Sequence, residues 1–231
     1  MHIELQPAYV LHTRPYRDTS MLVDFITPQF GRITAVARGV RSRKTPKRNL
    51  LNPFTRLLIS FQGKTDLKLL THFEADGAHF SLVATYLFSG FYLNELLVRL
   101  LPEFDAHPAT YDLYEKSLQA LTLQKDLEPV LRGFELQLLA ELGYEINFAS
   151  DSLSGKSITN EVNYCLDTQA GFYPAPFGTP TNMQFPGQHI SAIAQGELSD
   201  ADVKLTAKRI TRILLKPLLG SKPLMSRELF S

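Results

Sequence analysis

The sequence predicts an α+β protein, with a five-stranded OB-type β-barrel over residues 1–79 and an α-helical C-terminal domain over residues 80–231. Two observations predict it. Up to about residue 80, short runs of β-branched and aromatic residues alternate with turn residues. Beyond that point the apolar spacing becomes helical, with Pro and Gly stops between segments.

The strands read in order as Ala8–His12, Met21–Thr27, Arg32–Ala37, Leu57–Phe61 and Leu67–Phe73. Thr27-Pro28-Gln29-Phe30-Gly31 marks a hairpin, because Pro presets φ and Gly reaches positive φ. Gln62-Gly63-Lys64-Thr65-Asp66 joins the last two strands. Five short strands satisfy a small OB-type barrel. Patterning alone admits any other five-stranded barrel or sandwich. Between the third and fourth strands, residues 38–49 hold six cations and no acid. Gly39 and Pro46 argue against regular structure there, so this stretch reads as a mobile basic loop.

Residues 80–101 are apolar enough to invite a membrane reading, but Asn94, Glu95 and Arg99 oppose it. Glu95 and Arg99 stand four apart as a helix-surface pair, so a core helix stopped by Pro102 is expected. Helices are also expected over Thr110–Leu123 and Leu127–Leu142, the latter with Pro129 in its first turn and Gly143 as a stop. Residues 149–186 read as an irregular insert. Ser199-Asp200-Ala201-Asp202 opens a last long helix that Pro217 and Gly220 end.

The single cysteine, Cys165, excludes an internal disulfide framework and a cysteine-rich zinc site, and suits a reducing compartment. Met-His-Ile-Glu-Leu carries no basic region leading into an apolar run, so no secretory signal is expected. No glycine-rich phosphate cradle, Gly-x-Ser-x-Gly elbow or His-Glu-x-x-His motif occurs. The six histidines lack ligand-like spacing, and Cys165 has no identifiable base, so it reads as a plain buried thiol. No enzymatic activity, cofactor or metal is expected.

Net charge is only +1, but its distribution is uneven. Residues 1–80 hold twelve Lys/Arg against six Asp/Glu, residues 81–203 five against sixteen, and residues 204–231 seven against one. Two polyanion-facing surfaces on an acidic scaffold follow. The first is the basic run Arg38, Arg41, Arg43, Lys44, Lys47 and Arg48, extended over the barrel by Arg14, Arg17, Arg32 and Arg56. Cations on a loop can follow a phosphate backbone without reading sequence. Tyr9, Tyr16, Phe30 and Phe54 are candidate base-stacking platforms, with barrel core as their alternative. The second surface is the stripe Lys204, Lys208, Arg212 and Lys216, one residue in four along the last helix, with Arg209, Lys222 and Arg227 nearby. Ile210, Ile213, Leu214 and Leu218 form that helix's apolar side.

Several segments together resemble one family. Residues 8–20 (AYVLHTRPYRDTS), 25–32 (FITPQFGR) running into 37–41 (ARGVR), and 50–54 (LLNPF) are similar to the RecO family. So are 134–139 (FELQLL) with 142–144 (LGY), and 222–230 (KPLMSRELF). The pieces span the chain in the family's order.

The resemblance implies an OB-fold domain and a helical domain. It implies binding of single- and double-stranded DNA without sequence specificity, annealing of complementary strands, and help in loading the RecA recombinase onto strands coated by single-strand-binding protein (SSB). RecR and the acidic C-terminal tail of SSB would be the partners, and the bacterial cytoplasm, on the nucleoid, the place. Some RecO-like proteins carry a four-cysteine zinc module after the Leu-Gly-Tyr segment. Here that region has only Cys165, so the module is degenerate and its metal is expected to be absent. The SSB tail needs an apolar pocket with cations at its lip. Arg132 among Leu131, Phe134 and Leu138 is one candidate lip, with pairing to Glu128 or Glu135 as its alternative, and Lys208 with Arg212 is the rival site. The barrel and loop alone fit an RNA-binding protein of translation or RNA handling equally well. A hydrolase using Cys165 or a surface carboxylate pair is the third reading.

Overall fold

The computed structural model describes residues 1–42 and 46–230, except the side chains of Pro46, Lys47, Ala78, Arg227 and Phe230. The chain divides into two compact units, Met1–Lys125 with Pro223–Ser231, and Asp126–Lys222. Strands give way to helices after residue 79, as the sequence indicates, but the units themselves divide at 125/126.

In the first unit, β1 (His2–Tyr16), β2 (Ser20–Thr27), β3 (Gly31–Ala37), β4 (Thr55–Gln62) and β5 (Lys68–His79) close a barrel in the order β1-β2-β3-β5-β4. All pairings are antiparallel except β3 with β5, which run parallel over Ala35–Ala37 and Lys68–Leu70. Val10, Val23, Phe25, Ile33, Ala35, Leu57, Ile59 and Phe61 point inward and are fully buried. Closure removes the free edges that a five-stranded sheet would otherwise expose. β1 and β5 run well beyond their predicted lengths, because pairing with β4 extends both past their apolar centres.

The β2–β3 turn depends on Gly31. Its φ is +60°, and a Cβ there would lie 1.6 Å from the Asp105 carbonyl oxygen. Thr27 Oγ1 closes the turn, accepting from Phe30 N–H at 3.1 Å and donating to Gly31 O at 3.1 Å. The expectation of an irregular segment around Pro46 is corrected: Pro46–Leu51 form a 3₁₀ helix, whose first position needs no N–H from proline.

Helices α1 (Ala84–Leu100) and α2 (Pro108–Thr122) complete this unit. Asn94, an argument against a membrane span, is 3% exposed. It donates to Leu11 O at 2.7 Å and accepts from the Tyr114 hydroxyl at 2.5 Å, so its polarity ties α1 to β1 and α2. No described helix is long and apolar enough to cross a membrane.

Gly90 sits where α1 meets Phe54 and Leu82. A Cβ there would meet Leu82 Cδ1 at 2.5 Å and two Phe54 ring carbons at 2.9 Å. Alanine in a helix gains up to about 1 kcal/mol over glycine, whereas overpacking a core costs about 1–3 kcal/mol. The rigid ring makes the second effect the larger. Gly90→Ala should therefore lower stability by about 1 kcal/mol, read from the urea midpoint.

The final residues return to the first unit as a 3₁₀ helix, Met225–Phe230, docked on α1. Glu95 forms the expected pair with Arg99 at 3.6 Å, and it also accepts from Met225 N–H at 2.9 Å, Ser226 N–H at 2.8 Å and Ser226 Oγ at 2.6 Å. Arg99 donates to Pro223 O at 3.1 Å. Burial raises the Glu95 pKa, but the Ser226 and Met225 hydrogen bonds and the Arg99 charge outweigh it and hold the carboxyl below its ordinary range. A depressed carboxylate stabilises above its unfolded pKa and loses that contribution as pH falls through the folded one. Hydrogen exchange at Met225 and Ser226 should therefore accelerate below the ordinary glutamate range, after correction for intrinsic exchange. Glu95→Gln should show the fast exchange already at neutral pH.

The second unit holds α3 (Leu127–Glu141), a three-stranded sheet of β6 (Asn163–Asp167), β7 (Gly171–Pro174) and β8 (Phe185–Pro186), then α4 (Gly187–Ala194) and α5 (Ala201–Leu219). The reading of 149–186 as irregular is thus corrected. Asp167 accepts from Gln169 and Ala170 N–H, Gly171 takes φ +98°, and the chain reverses into β7. Tyr164, Phe172 and Phe185 fill the core behind the sheet. Asp200 caps α5 by accepting from Asp202 and Val203 N–H. Pro217 lies inside α5 rather than ending it, and Gly220 at φ +65° is the cap. Cys165 is buried and free.

Candidate nucleic-acid interface

Three turns converge at one end of the barrel. Arg17-Asp18-Thr19 links β1 to β2, Arg38-Gly39 follows β3, and Gly63–Leu67 links β4 to β5. They enclose a groove of about 510 Å³. Val36, Leu67 and Leu69 give it apolar walls, Tyr16 an aromatic one, and Arg17 and Arg38 are exposed at its rim. Asp18 is the one acid among the groove residues.

The chain leaving β3 is pinned to the first turn. Arg41 N–H donates to Thr19 O at 2.9 Å, and the Arg41 guanidinium to Arg17 O at 3.1 Å. These bonds hold the start of the basic run beside the groove. Arg17 has φ 50° and its guanidinium sits 5.1 Å above the Tyr16 ring. Arg48 is exposed. Arg43 and Lys44 lie outside the described residues, as do the side chains of Lys47 and Arg227.

The other expected barrel cations are engaged by carboxylates. Arg14 reaches buried Asp24 at 3.5 Å. Burial raises the Asp24 pKa, yet hydrogen bonds from His12 and Thr34 and the Arg14 charge outweigh it and keep the carboxyl low. Arg32 is largely enclosed, donating to Leu101 O and Glu103 at 2.9 Å each. Arg56 bridges Asp76 at 3.0 Å and Glu115 at 2.9 Å. The structure therefore does not bring Arg32 and Arg56 to the cationic rim; they hold α2 and the 101–105 segment to the barrel.

Among the expected stacking platforms, Tyr9 and Phe54 are core. The Tyr9 ring packs against Tyr111 and Tyr114 at 5.3 and 5.4 Å, and Phe54 against Phe91 at 5.2 Å. Burial pushes the Tyr9 hydroxyl pKa up. Phe30 is half-buried edge-on to Phe61. Tyr16 alone of the four lines the groove.

In the second unit the α5 stripe is divided. Lys204 pairs with Asp126, and Lys208 with Glu128 at 2.6 Å, whereas Arg212 and Lys216 are exposed. Ile213, expected on the apolar side, is 37% exposed. Arg209 lies 4.6 Å above the Phe185 ring and donates to the Asn182 and Gln184 carbonyls.

The expected peptide lip is corrected too. Arg132 is 4% exposed, 2.9 Å from Glu135, itself 1% exposed, and 3.7 Å from Glu128. Leu131, Phe134 and Leu138 are themselves buried core residues. A separate apolar cavity of about 340 Å³ opens between α3 and α4, lined by Leu136, Ala140, Ile146, Phe148 and Ile193, with Tyr144 half-exposed. No group of three or more His, Cys, Asp or Glu that could hold a metal occurs among the described residues.

Sequence reasoning missed the groove's walls and the partners of its outer cations. Val36, Leu67 and Leu69 come together only when the parallel β3–β5 pairing closes the barrel. Asp126 and Glu128 do carry a signal: Asp126 is the N-cap of α3 and Glu128 lies in its first turn, where the helix dipole favours acids.

A closed five-stranded barrel in the order β1-β2-β3-β5-β4 belongs to the OB-type class of β-barrels. Comparison with known families narrows the class. Residues 1–77 match the family described as recombination protein O N terminal, and residues 84–228 match recombination protein O C terminal. The chain is 52% identical over 231 residues to the DNA repair protein RecO of Cellvibrio japonicus, covering 100% of this chain and 98% of that one. It is 43% identical over 230 residues to RecO of Alteromonas mediterranea, covering 100% and 98%. It is 42% identical over 231 residues to RecO of Haemophilus influenzae, covering 100% and 97%. The chain belongs to the RecO family, and its N-terminal barrel is the family's OB domain.

Proposed function

We propose that this protein is a DNA repair and recombination mediator without enzymatic activity of its own. It binds single- and double-stranded DNA irrespective of sequence, anneals complementary strands and helps load RecA onto SSB-coated single strands in the bacterial cytoplasm. The observation that carries this reading is the barrel-end groove, with Arg17 and Arg38 at its rim and the basic run leading away from it. Arg212 and Lys216 supply a second, separate cationic surface. Two phosphate backbones repel each other; a protein that neutralises each at its own surface lowers the cost of their approach. Contacts confined to phosphates leave base edges free to pair.

RecR and the SSB tail are the protein partners in this reading. Because Arg132 is buried, exposed Arg212 is the cation of the original set that this reading assigns to the tail. The experiment is competition between single-stranded DNA and RNA of one sequence, with and without SSB. Preference for DNA, and binding that persists on SSB-coated strands, support the mediator. Preference for RNA overturns it in favour of an RNA-handling protein.

A further inference from the structure

We infer that the barrel-end groove is a slot for one unpaired nucleobase, so that the barrel distinguishes single strands from duplex by taking a base out of line. The inference rests on the proposed DNA binding and adds what the groove does beyond attracting phosphate.

Phosphate contact alone needs only cations on a convex surface. Here the two rim arginines stand over a recess of about 510 Å³, within the size range of small-molecule sites. Its lining is mixed in a particular way. The rim is polar and cationic, with Arg17 and Arg38, while Val36, Leu67 and Leu69 are apolar. Leu67 is 41% exposed in a turn otherwise made of Gly63, Lys64, Thr65 and Asp66. A large apolar side chain left open at the lip of a cationic recess suits a flat, apolar-faced group that carries negative charge at one end. An unpaired base on its sugar-phosphate is such a group.

Tyr16 supplies the face. It is half-buried, lines the groove, and carries the Arg17 guanidinium 5.1 Å above its ring. A base can stack against the ring or the planar guanidinium, and stacking is indifferent to base identity because every base has a π-face. The phosphate then falls to Arg17 or Arg38 at the rim. The walls are held before any ligand arrives: Arg41 bonds to Thr19 O and Arg17 O on the first turn, and Lys68, a buried groove residue, lies 4.1 Å above the Phe104 ring. A base inside a duplex is stacked on both faces and cannot enter without unstacking, so duplex DNA engages the cations but not the slot.

The test is anisotropy with three probes at one ionic strength: a thymidine oligonucleotide, an abasic oligonucleotide of the same length, and a duplex. The wild-type protein should favour the thymidine strand over the abasic one by about five- to 150-fold, the range for one stacked base. Tyr16→Ala should erase that preference while leaving abasic and duplex affinities within about twofold, and Tyr16→Phe should restore it. Leu67→Glu, at an exposed position with little effect on folding, should abolish the preference by placing charge in the recess. Arg38→Ala should weaken all three probes together. Retention of the wild-type preference by folded Tyr16→Ala and Leu67→Glu would overturn the slot while leaving phosphate binding intact. Failure of the wild-type protein to bind any probe would overturn the slot together with the DNA-binding reading beneath it.

Discussion

Arg132→Ala is expected to cost the second unit about 3–5 kcal/mol, the range for breaking a buried ion pair from one side. Arg132 and Glu135 are 4% and 1% exposed and lie 2.9 Å apart on α3. Arg132 also donates to Thr211 Oγ1 at 3.4 Å, reaching α5. Glu128 stands between Arg132 and Lys208, so the cluster alternates in sign. Alanine removes the cation and leaves the Glu135 carboxylate, 1% exposed, without that charge in the interior, where it would have to bind a proton or draw in water. Arg132→Met with Glu135→Leu removes both charges at similar volume and should recover most of the loss, since well-packed apolar replacements of buried pairs are often neutral or stabilising. Urea unfolding of the three proteins measures this. Equal midpoints for wild type and Arg132→Ala would show the site to be wet and its charges solvated.

The second large effect belongs to the basic run. Changing Arg43, Lys44, Lys47 and Arg48 to alanine should weaken single-stranded DNA binding on the order of 10²–10³-fold at about 50 mM salt, if each cation neutralises one phosphate. The loss should be the same for every sequence tested, because phosphate contacts do not read bases. Thermal stability should change by no more than about 0.5 kcal/mol, the usual limit for substitutions that touch neither a core nor a buried network. Annealing should fall with affinity if both strands must be neutralised. A folded quadruple variant with wild-type affinity would remove the basic run from the contact and leave Arg17 and Arg38 at the groove, or Arg212 and Lys216 on α5, to carry it.

The elements were legible where one residue pattern decided them. Gly31 after Pro28 fixed the β2–β3 turn, and Asp200 before Asp202 and Val203 fixed the start of α5. The small sheet at 163–186 was hidden because its strands are two to five residues long and divided by Pro and Gly. Patterning over so few residues has no period to show. Pro217 misled for a related reason: proline's missing N–H and its clash with the preceding turn are local costs, and the packing of Leu214 and Leu215 carries α5 past them. At the site, cations were visible as residues but not as free charges. Arg32 and Arg56 look like Arg17 and Arg38 in sequence, and only the fold shows that Glu103 and Glu115 occupy them; Arg132 differs, because Glu135 three residues on is already a visible partner. The RecO-like segments carried the family, since their order along the chain survives whatever each side chain does.

The central claim is that the protein holds nucleic acid through its phosphates, at the cationic end of the barrel. The most direct test is the affinity of the wild-type protein for a labelled single strand as salt is raised. With about five phosphates neutralised, log affinity should fall against log salt with a slope of about −3.5, a loss of about a hundredfold between roughly 50 and 200 mM. A slope near zero with binding intact, or no binding at low salt, would contradict the account.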